Sequence, residues 1–348
     1  MAGLKRALAL VLAGALCAGL SACKSKPAAV QRTVLAMDTV MTLTVYADQS
    51  EGEEALDAMA ATLADMEEKC SATWEDSPVS VLNREGGIVI PAYPRLYDLV
   101  EQSLTLGART GGALDITAYP AVQAWGFTTG EYRVPDQAEL EELKGRIGQE
   151  GVITDPNACM ILLPEEAQID LGAVAKGYTG DILADGLKER GITSALLDLG
   201  QSSIMTVGTK PDGNPWRIGI QDPRGEEYLG VLELADMAMG TSGDYQRYFE
   251  QDGVRYSHII DPATAAPARS GLTSVTVVSP SCLTCDGLST ALFVMGLEKG
   301  VKFWRDHPEL EFDVIFIEET GEIFITPGLE GSFTLAEGYE DREVTVLS

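Results

Sequence analysis

Apolar and polar residues alternate along Val40-Met41-Thr42-Leu43-Thr44-Val45-Tyr46, the period of two that predicts a half-buried strand over 40–46. The period then changes. Leu56, Met59, Leu63 and Met66 recur at intervals of three and four, predicting an amphipathic helix over 53–69. Leu96, Val100 and Leu104 predict a second helix over 94–109, stopped by Gly111-Gly112, after a polar loop at 71–80. Further on, the pattern gives a short helix over 137–147 and a short strand at 168–171. That strand runs through Gly172 into a helix over 174–190, closed by Gly191. Strands follow at 195–199, 216–220, 229–234 and 274–278, then a helix over 287–301 and a terminal hairpin of 312–317 with 322–326. The stretch 128–168 is acidic and uneven, and reads as a smaller inserted lobe. Strands and helices mix without a regular βαβ beat and without an internal repeat. The expected class is α+β, mixed or antiparallel sheets with packed helices in a single unit.

The first residues follow a different logic. Lys5 and Arg6 precede an apolar run of roughly 14 residues, short of the ~20 that a membrane span needs but suited to a signal peptide. The run ends at Leu20-Ser21-Ala22-Cys23, which resembles a bacterial lipobox. The expectation is a lipoprotein signal over 1–22, a lipidated Cys23 with a tether to residue 32, and a folded domain over 33–348. Such a chain works on the extracytoplasmic side of a cell membrane, held by acyl chains. An ordinary cleaved signal with a chance cysteine is the competing reading.

Composition narrows the chemistry. With 25 Lys+Arg against 53 Asp+Glu, the 348-residue chain carries a formal charge of −28, which repels nucleic acid. An anionic ligand then requires a metal ion or a local cluster of cations. His258 and His307 are the only histidines, so a zinc site built on several imidazoles is excluded. Cys282-Leu-Thr-Cys285 has CxxC spacing but no second pair; it reads as structural, with a disulfide open as an option.

Four segments place polar residues and glycines inside core-like sequence. Gly112-Ala113-Leu114-Asp115, followed by Trp125-Gly126-Phe127, offers close backbone approach and aromatic flanks, or merely a helix stop beside an aromatic cluster. Asp170-Leu171-Gly172-Ala173-Val174-Ala175-Lys176 breaks through glycine into a helix start bearing a lysine, a seat for phosphate or a plain helix start. Ser242-Gly243-Asp244-Tyr245 precedes Ser257-His258-Ile259-Ile260-Asp261-Pro262, whose histidine carries protons near neutrality or is a satisfied turn residue. Asp286 and Thr290, at i and i+4, suit a hard cation such as Mg²⁺, or are an N-cap and a back-bonded threonine.

Taken in order, these segments resemble the ApbE family of FAD:protein FMN transferases, over Met37-Asp38-Thr39 to about residue 300. Asp76-Ser77 and Leu82-Asn83, Trp216 to Pro223, and Lys176-Gly177-Tyr178 belong to the same pattern. The resemblance implies that Met37 and Trp74 line the flavin. It implies that Ala113, Leu114, Asp115, Asp170, Lys176, His258 and Ile259 hold FAD. The Ala173 carbonyl, Asp286 and Thr290 would coordinate Mg²⁺, with His258 and Asp286 catalytic. The implied reaction moves FMN from FAD to a Thr or Ser hydroxyl of an exported or membrane redox protein bearing a Ser/Thr-Gly-Ala-Ser/Thr-like stretch, releasing AMP. An FAD pyrophosphatase would use the same residues, and a non-catalytic FAD-binding lipoprotein would need no metal. A solute-binding lipoprotein would require two similar βαβ lobes, which the pattern lacks.

Three stretches depart from the family pattern. Gln201-Ser202 replaces Gly-Asn, Ala265-Ala266 replaces Gly-x, and Ile116 stands where proline is common. Lost glycine at 201 and 265 predicts altered loop shape there.

Overall fold

The computed structural model describes residues 28–85, 89–91 and 93–348. The expected signal peptide over 1–22 and the expected lipidation of Cys23 fall outside the described residues.

Nine strands form the principal sheet, and their order in space is their order in the chain. They are β1 (Ala28–Ala36), β2 (Thr39–Ala47), β3 (Ala195–Asp198), β4 (Ser203–Val207), β5 (Ala238–Gly243), β6 (Leu272–Ser279), β7 (Asp313–Glu318), β8 (Ile323–Ile325) and β9 (Val344–Val346). All neighbours are antiparallel except β8 and β9, which are parallel. Seven helices are described: α1 (Gln49–Cys70), α2 (Pro78–Glu85), α3 (Pro94–Arg109), α4 (Tyr119–Ala124), α5 (Gln137–Lys144), α6 (Ala175–Glu189) and α7 (Cys282–Asp306).

The period of two sorts the strands' side chains between two cores. Val314 and Phe316 of β7 join the core shared with α1, α6 and α7, whereas Ile315 and Ile317 face the other way. There they meet a three-stranded sheet of Trp216–Gln221, Tyr228–Leu234 and Phe333–Leu335. β6 is buried along its whole length because it is covered on both faces. A third cluster gathers Trp125, Phe127, Leu143, Phe249 and Ile260.

Several expectations need correction. The tether expected up to residue 32 gives way to β1 at Ala28, because Val30 is buried and the strand pairs with β2 in continuous register. No strand forms at 168–171. Instead Asn83 stands in for a strand partner: its Nδ2 donates to the Ile169 carbonyl and its Oδ1 accepts from Ile169 N, both at 2.7 Å. The predicted helix over 287–301 starts at Cys282, capped by Ser281, and runs to Asp306 across a break at Gly296. Cys282 and Cys285 thus occupy its first turn as free, fully buried thiols. Strands β1, β4, β5 and β9 and helices α2 and α4 were not legible in the pattern. Among the described residues no helix is long and apolar enough to cross a membrane.

Candidate active site

Helices α6 and α7 begin side by side. A Cβ on Gly177 would lie 2.3 Å from the Cys282 carbonyl oxygen and 2.8 Å from Leu283 N, so only glycine admits this approach. Asp181 fastens the contact from the next turn, accepting from Ser281 Oγ at 2.9 Å, Cys282 N at 2.6 Å and Leu283 N at 3.1 Å. These bonds satisfy donors that a helix N-terminus leaves without intrahelical partners. Gly240 of β5 packs against the same turn, where a Cβ would be 2.6 Å from the Cys285 carbonyl carbon.

The close approach brings two predicted residues together. Gly177 N donates to Asp286 Oδ2 at 2.7 Å, and Lys176 is its chain neighbour. Burial pushes the Asp286 carboxyl up to about 6, while the Lys176 ammonium and the Ser203 hydroxyl pull the other way. Lys176 Nζ donates to Ser202 Oγ at 2.5 Å. One turn beyond Asp286, Thr290 Oγ1 lies 3.2 Å from Ser242 Oγ and donates to the Asp286 carbonyl at 3.3 Å. Ser242 therefore ties the Ser-Gly-Asp-Tyr segment to α7.

His258 closes the constellation. Its backbone N donates to the Arg247 carbonyl at 3.0 Å, and its Nδ1 lies 3.2 Å from the same oxygen. A carbonyl only accepts, so the proton sits on Nδ1 and the lone pair is left on Nε2. Burial, reinforced by the charges of Arg247 and Lys176, lowers its pKa to about 4; the ring is neutral at pH 7. Phe127 meets the imidazole edge-on at 6.4 Å.

Arg247 is a candidate site residue that sequence reading passed over. Its Nη2 donates to the Phe127 carbonyl at 2.7 Å, and its charge acts on both His258 and Asp170. The available signal was an arginine two residues past Tyr245 in a strongly acidic chain.

The remaining predicted residues fall into two groups. Asp170 accepts from Gly172 N at 2.9 Å, is pushed upward in pKa by burial, and its own N donates to Ile116 O at 2.8 Å. That last bond joins the 170 turn, which also carries Ala173, to the segment Ala113-Leu114-Asp115. Leu114 is buried and packs toward Gly287, next to Asp286. Asp115 is committed locally: Oδ1 accepts from Thr117 N at 2.8 Å and Thr117 Oγ1 at 2.6 Å, and Oδ2 from Gln149 N at 3.2 Å. Ile259 is buried, its carbonyl accepting from Ala268 N at 2.8 Å.

Met37 and Asp38 form the two-residue turn between β1 and β2, both at positive φ (51° and 57°). Met37 N donates to Glu67 Oε1 at 2.8 Å. A Cβ on Gly200 would meet Thr39 at 2.5 Å, so this turn lies against the 198–202 loop that holds Lys176 through Ser202. Trp74 sits in the loop before α2 and is 48% exposed, a large aromatic face without cover. Among the described residues no group of three or more His, Cys, Asp and Glu is arranged to hold a metal ion. Any cation here would rest on one carboxylate, a hydroxyl and a carbonyl.

The chain is similar to known proteins of one family. The model of the ApbE family matches residues 37–315. An FAD:protein FMN transferase of Vibrio cholerae is 38% identical over 245 residues, covering 69% of this chain and 72% of the relative. One from Klebsiella pneumoniae is 33% identical over 326 residues, covering 89% and 92%. Among solved structures, the ApbE protein of Thermotoga maritima superposes with a TM-score of 0.82 at 30% identity, over 88% of this chain and 99% of that one. The apo flavinyl transferase ApbE of Pseudomonas stutzeri gives 0.77 at 30% identity, over 91% and 97%.

Proposed function

The chain belongs to the ApbE family, and from that premise we propose that it moves FMN from FAD onto a threonine or serine hydroxyl of an exported or membrane-bound redox protein. The observation that carries the reading is the meeting of Asp286, Lys176 and the α6 N-terminus beside a histidine kept neutral. In a chain of charge −28, the cations Lys176 and Arg247 supply the local attraction that a pyrophosphate needs.

Each residue then has a role. The acceptor hydroxyl oxygen bonds to the FMN phosphorus while the bond from that phosphorus to the AMP oxygen breaks. The hydroxyl proton passes to His258 Nε2, and AMP leaves with the released oxygen. Lys176 and Arg247 hold the pyrophosphate; Met37 and Trp74 hold the isoalloxazine, the latter by stacking.

Asp286, Thr290 and the Ala173 carbonyl would hold Mg²⁺, and the residues fit a hard cation. All three donors are oxygen, and the raised carboxyl of Asp286 is that of a buried anion short of positive charge. When bound, the ion would supply charge neutralisation at the pyrophosphate oxygens.

The test incubates residues 24–348 with FAD, Mg²⁺ and an exported acceptor domain carrying a Ser/Thr-Gly-Ala-Ser/Thr-like stretch. Intact-mass spectrometry would show an FMN increment on the acceptor, abolished by a chelator. Free FMN and AMP without labelling would replace the reading with a pyrophosphatase, and FAD bound unchanged with a flavin carrier. Lipid anchoring through Cys23 on the extracytoplasmic face of the membrane completes the proposal.

A further inference from the structure

Lys176 stands half-buried in the first turn of α6. A lysine ammonium rides on a flexible four-carbon stem and ordinarily samples many positions. Here it is held. Its Nζ donates to Ser202 Oγ at 2.5 Å, a partner 26 residues further along the chain, in the loop that joins β3 to β4.

That loop is fixed from several directions. Ser202 N donates to the Gly200 carbonyl at 2.8 Å, and the Ser202 carbonyl accepts from Thr241 N of β5 at 2.8 Å. Leu199 N donates to the Ser203 carbonyl at 2.9 Å across the base of the loop. Asp198 Oδ1 takes the amides of Gln201 at 2.6 Å and Gly200 at 3.1 Å. Thr39 closes the far side, 2.5 Å from where a Cβ on Gly200 would stand. Gln201, directly before the serine, keeps a φ of 67°, a strained conformation that persists only where its surroundings impose it. The Ser202 hydroxyl is therefore presented by the sheet, and the ammonium takes its place from the sheet rather than from its own helix.

The chemistry of the contact suits a phosphate seat. An ammonium has three N–H donors; the serine accepts one and leaves two for phosphate oxygens. A hydroxyl also holds the cation without cancelling its charge, as a carboxylate would, and in a chain of charge −28 that charge is scarce. We propose that Ser202 is a positioning residue: its hydroxyl holds the Lys176 ammonium ready for the pyrophosphate and so sets the affinity for the nucleoside diphosphate part of FAD. The proposal rests on the reading of Lys176 as the pyrophosphate's partner. Its magnitude follows from preorganisation. A lysine already ordered before the ligand arrives does not lose its rotamer freedom on binding, and that freedom is worth about tenfold in affinity.

The probe is ADP, which carries both phosphates but no flavin, so neither turnover nor the acceptor enters the measurement. Its binding is followed by calorimetry at constant ionic strength and fixed Mg²⁺. The dissociation constant should rise about tenfold in Ser202→Ala and stay within about twofold of wild type in Ser202→Thr, which keeps the hydroxyl. In a Lys176→Gln background, Ser202→Ala should add nothing, because the two residues act as one unit. Wild-type affinity in Ser202→Ala beside a loss in Lys176→Gln overturns the proposal and leaves the reading of Lys176 standing. A loss that Ser202→Ala also adds in the Lys176→Gln background, or that Ser202→Thr fully shares, overturns it as well, since the serine would then merely shape the loop. Wild-type affinity in Lys176→Gln removes the reading of Lys176, and the proposal with it.

Discussion

Replacing Gly177 by alanine tests the joint on which the active site is assembled. The added Cβ would lie 2.3 Å from the Cys282 carbonyl oxygen, and a carbon–oxygen contact needs about 3.3 Å, so the α6 and α7 starts must part by about 1 Å. Both sides of the contact are backbone, and no side chain can yield. Overpacking of this kind costs about 1–3 kcal/mol, of which alanine's better helix propensity returns up to about 1 kcal/mol. The larger effect is on chemistry. Separation breaks the 2.7 Å bond from Gly177 N to Asp286 and moves Lys176, and a misplacement of this size costs about 100-fold in rate. Gly186 on the same helix is the control: a Cβ there meets nothing within 4 Å. Gly186→Ala should stabilise by up to about 1 kcal/mol and leave turnover unchanged. Chemical unfolding and initial rates of acceptor labelling measure both variants. Wild-type rate and stability in Gly177→Ala would refute the argument that this contact builds the site.

Other outcomes follow from the same geometry. Asp286→Ala should lower turnover at least about 1,000-fold while FAD, followed by flavin fluorescence, still binds within about tenfold of wild type. His258 has a folded pKa of about 4, below its ordinary 6.5, so the neutral ring is favoured. Its contribution to stability is complete above pH 6.5 and is lost as pH falls through about 4. With saturating Mg²⁺, the acid limb of kcat/KM that is lost in His258→Ala should lie near pH 4; a limb near 6.5 would show that the ring is not desolvated. Cys23→Ala should abolish incorporation of labelled palmitate and release the protein from the membrane fraction, whereas unchanged labelling would remove the lipid anchor.

Periodic segments were legible because a single pattern of burial governs them. Helix α3 has its predicted bounds, Pro94–Arg109, since apolar spacing, an N-terminal proline and the following glycines all point to one answer. β4, Ser-Ile-Met-Thr-Val, was missed for the opposite reason: it is buried on both faces and shows no alternation. The segment 168–171 looked like a strand, but its backbone bonds go to the side chain of Asn83, a partner 86 residues away that no local pattern reveals. Site residues divide in the same way. Lys176 lies at a helix start, where sequence shows both the break and the polar residue, whereas Asp286 stands in the second turn of α7, whose start the pattern placed at 287 rather than 282. Arg247 lies in no regular element, and only the fold places its charge against His258 and Asp170.

The two residues that stand where the family pattern has glycine show how tertiary structure holds a strained backbone. Ala265 and Gln201 keep the left-handed backbone that glycine adopts freely, with φ of 55° and 67°. An L-residue there costs about 1–2 kcal/mol, so something must hold each in place. At Ala265 the carbonyl accepts from Trp125 Nε1 at 2.9 Å, and the amide donates to the Asp261 carbonyl at 2.9 Å. At Gln201 the amide donates to Asp198 Oδ1 at 2.6 Å, and the same carboxylate takes the Gly200 amide at 3.1 Å. Each loop is thus fixed from both sides by groups outside the substituted residue. Both residues stand in the backbone region that glycine enters freely. What changes is chemical: Ser202, standing where the family pattern has asparagine, presents a hydroxyl to Lys176. The departure therefore bears on how Lys176 is held and, in the proposed reaction, on the seat of the pyrophosphate.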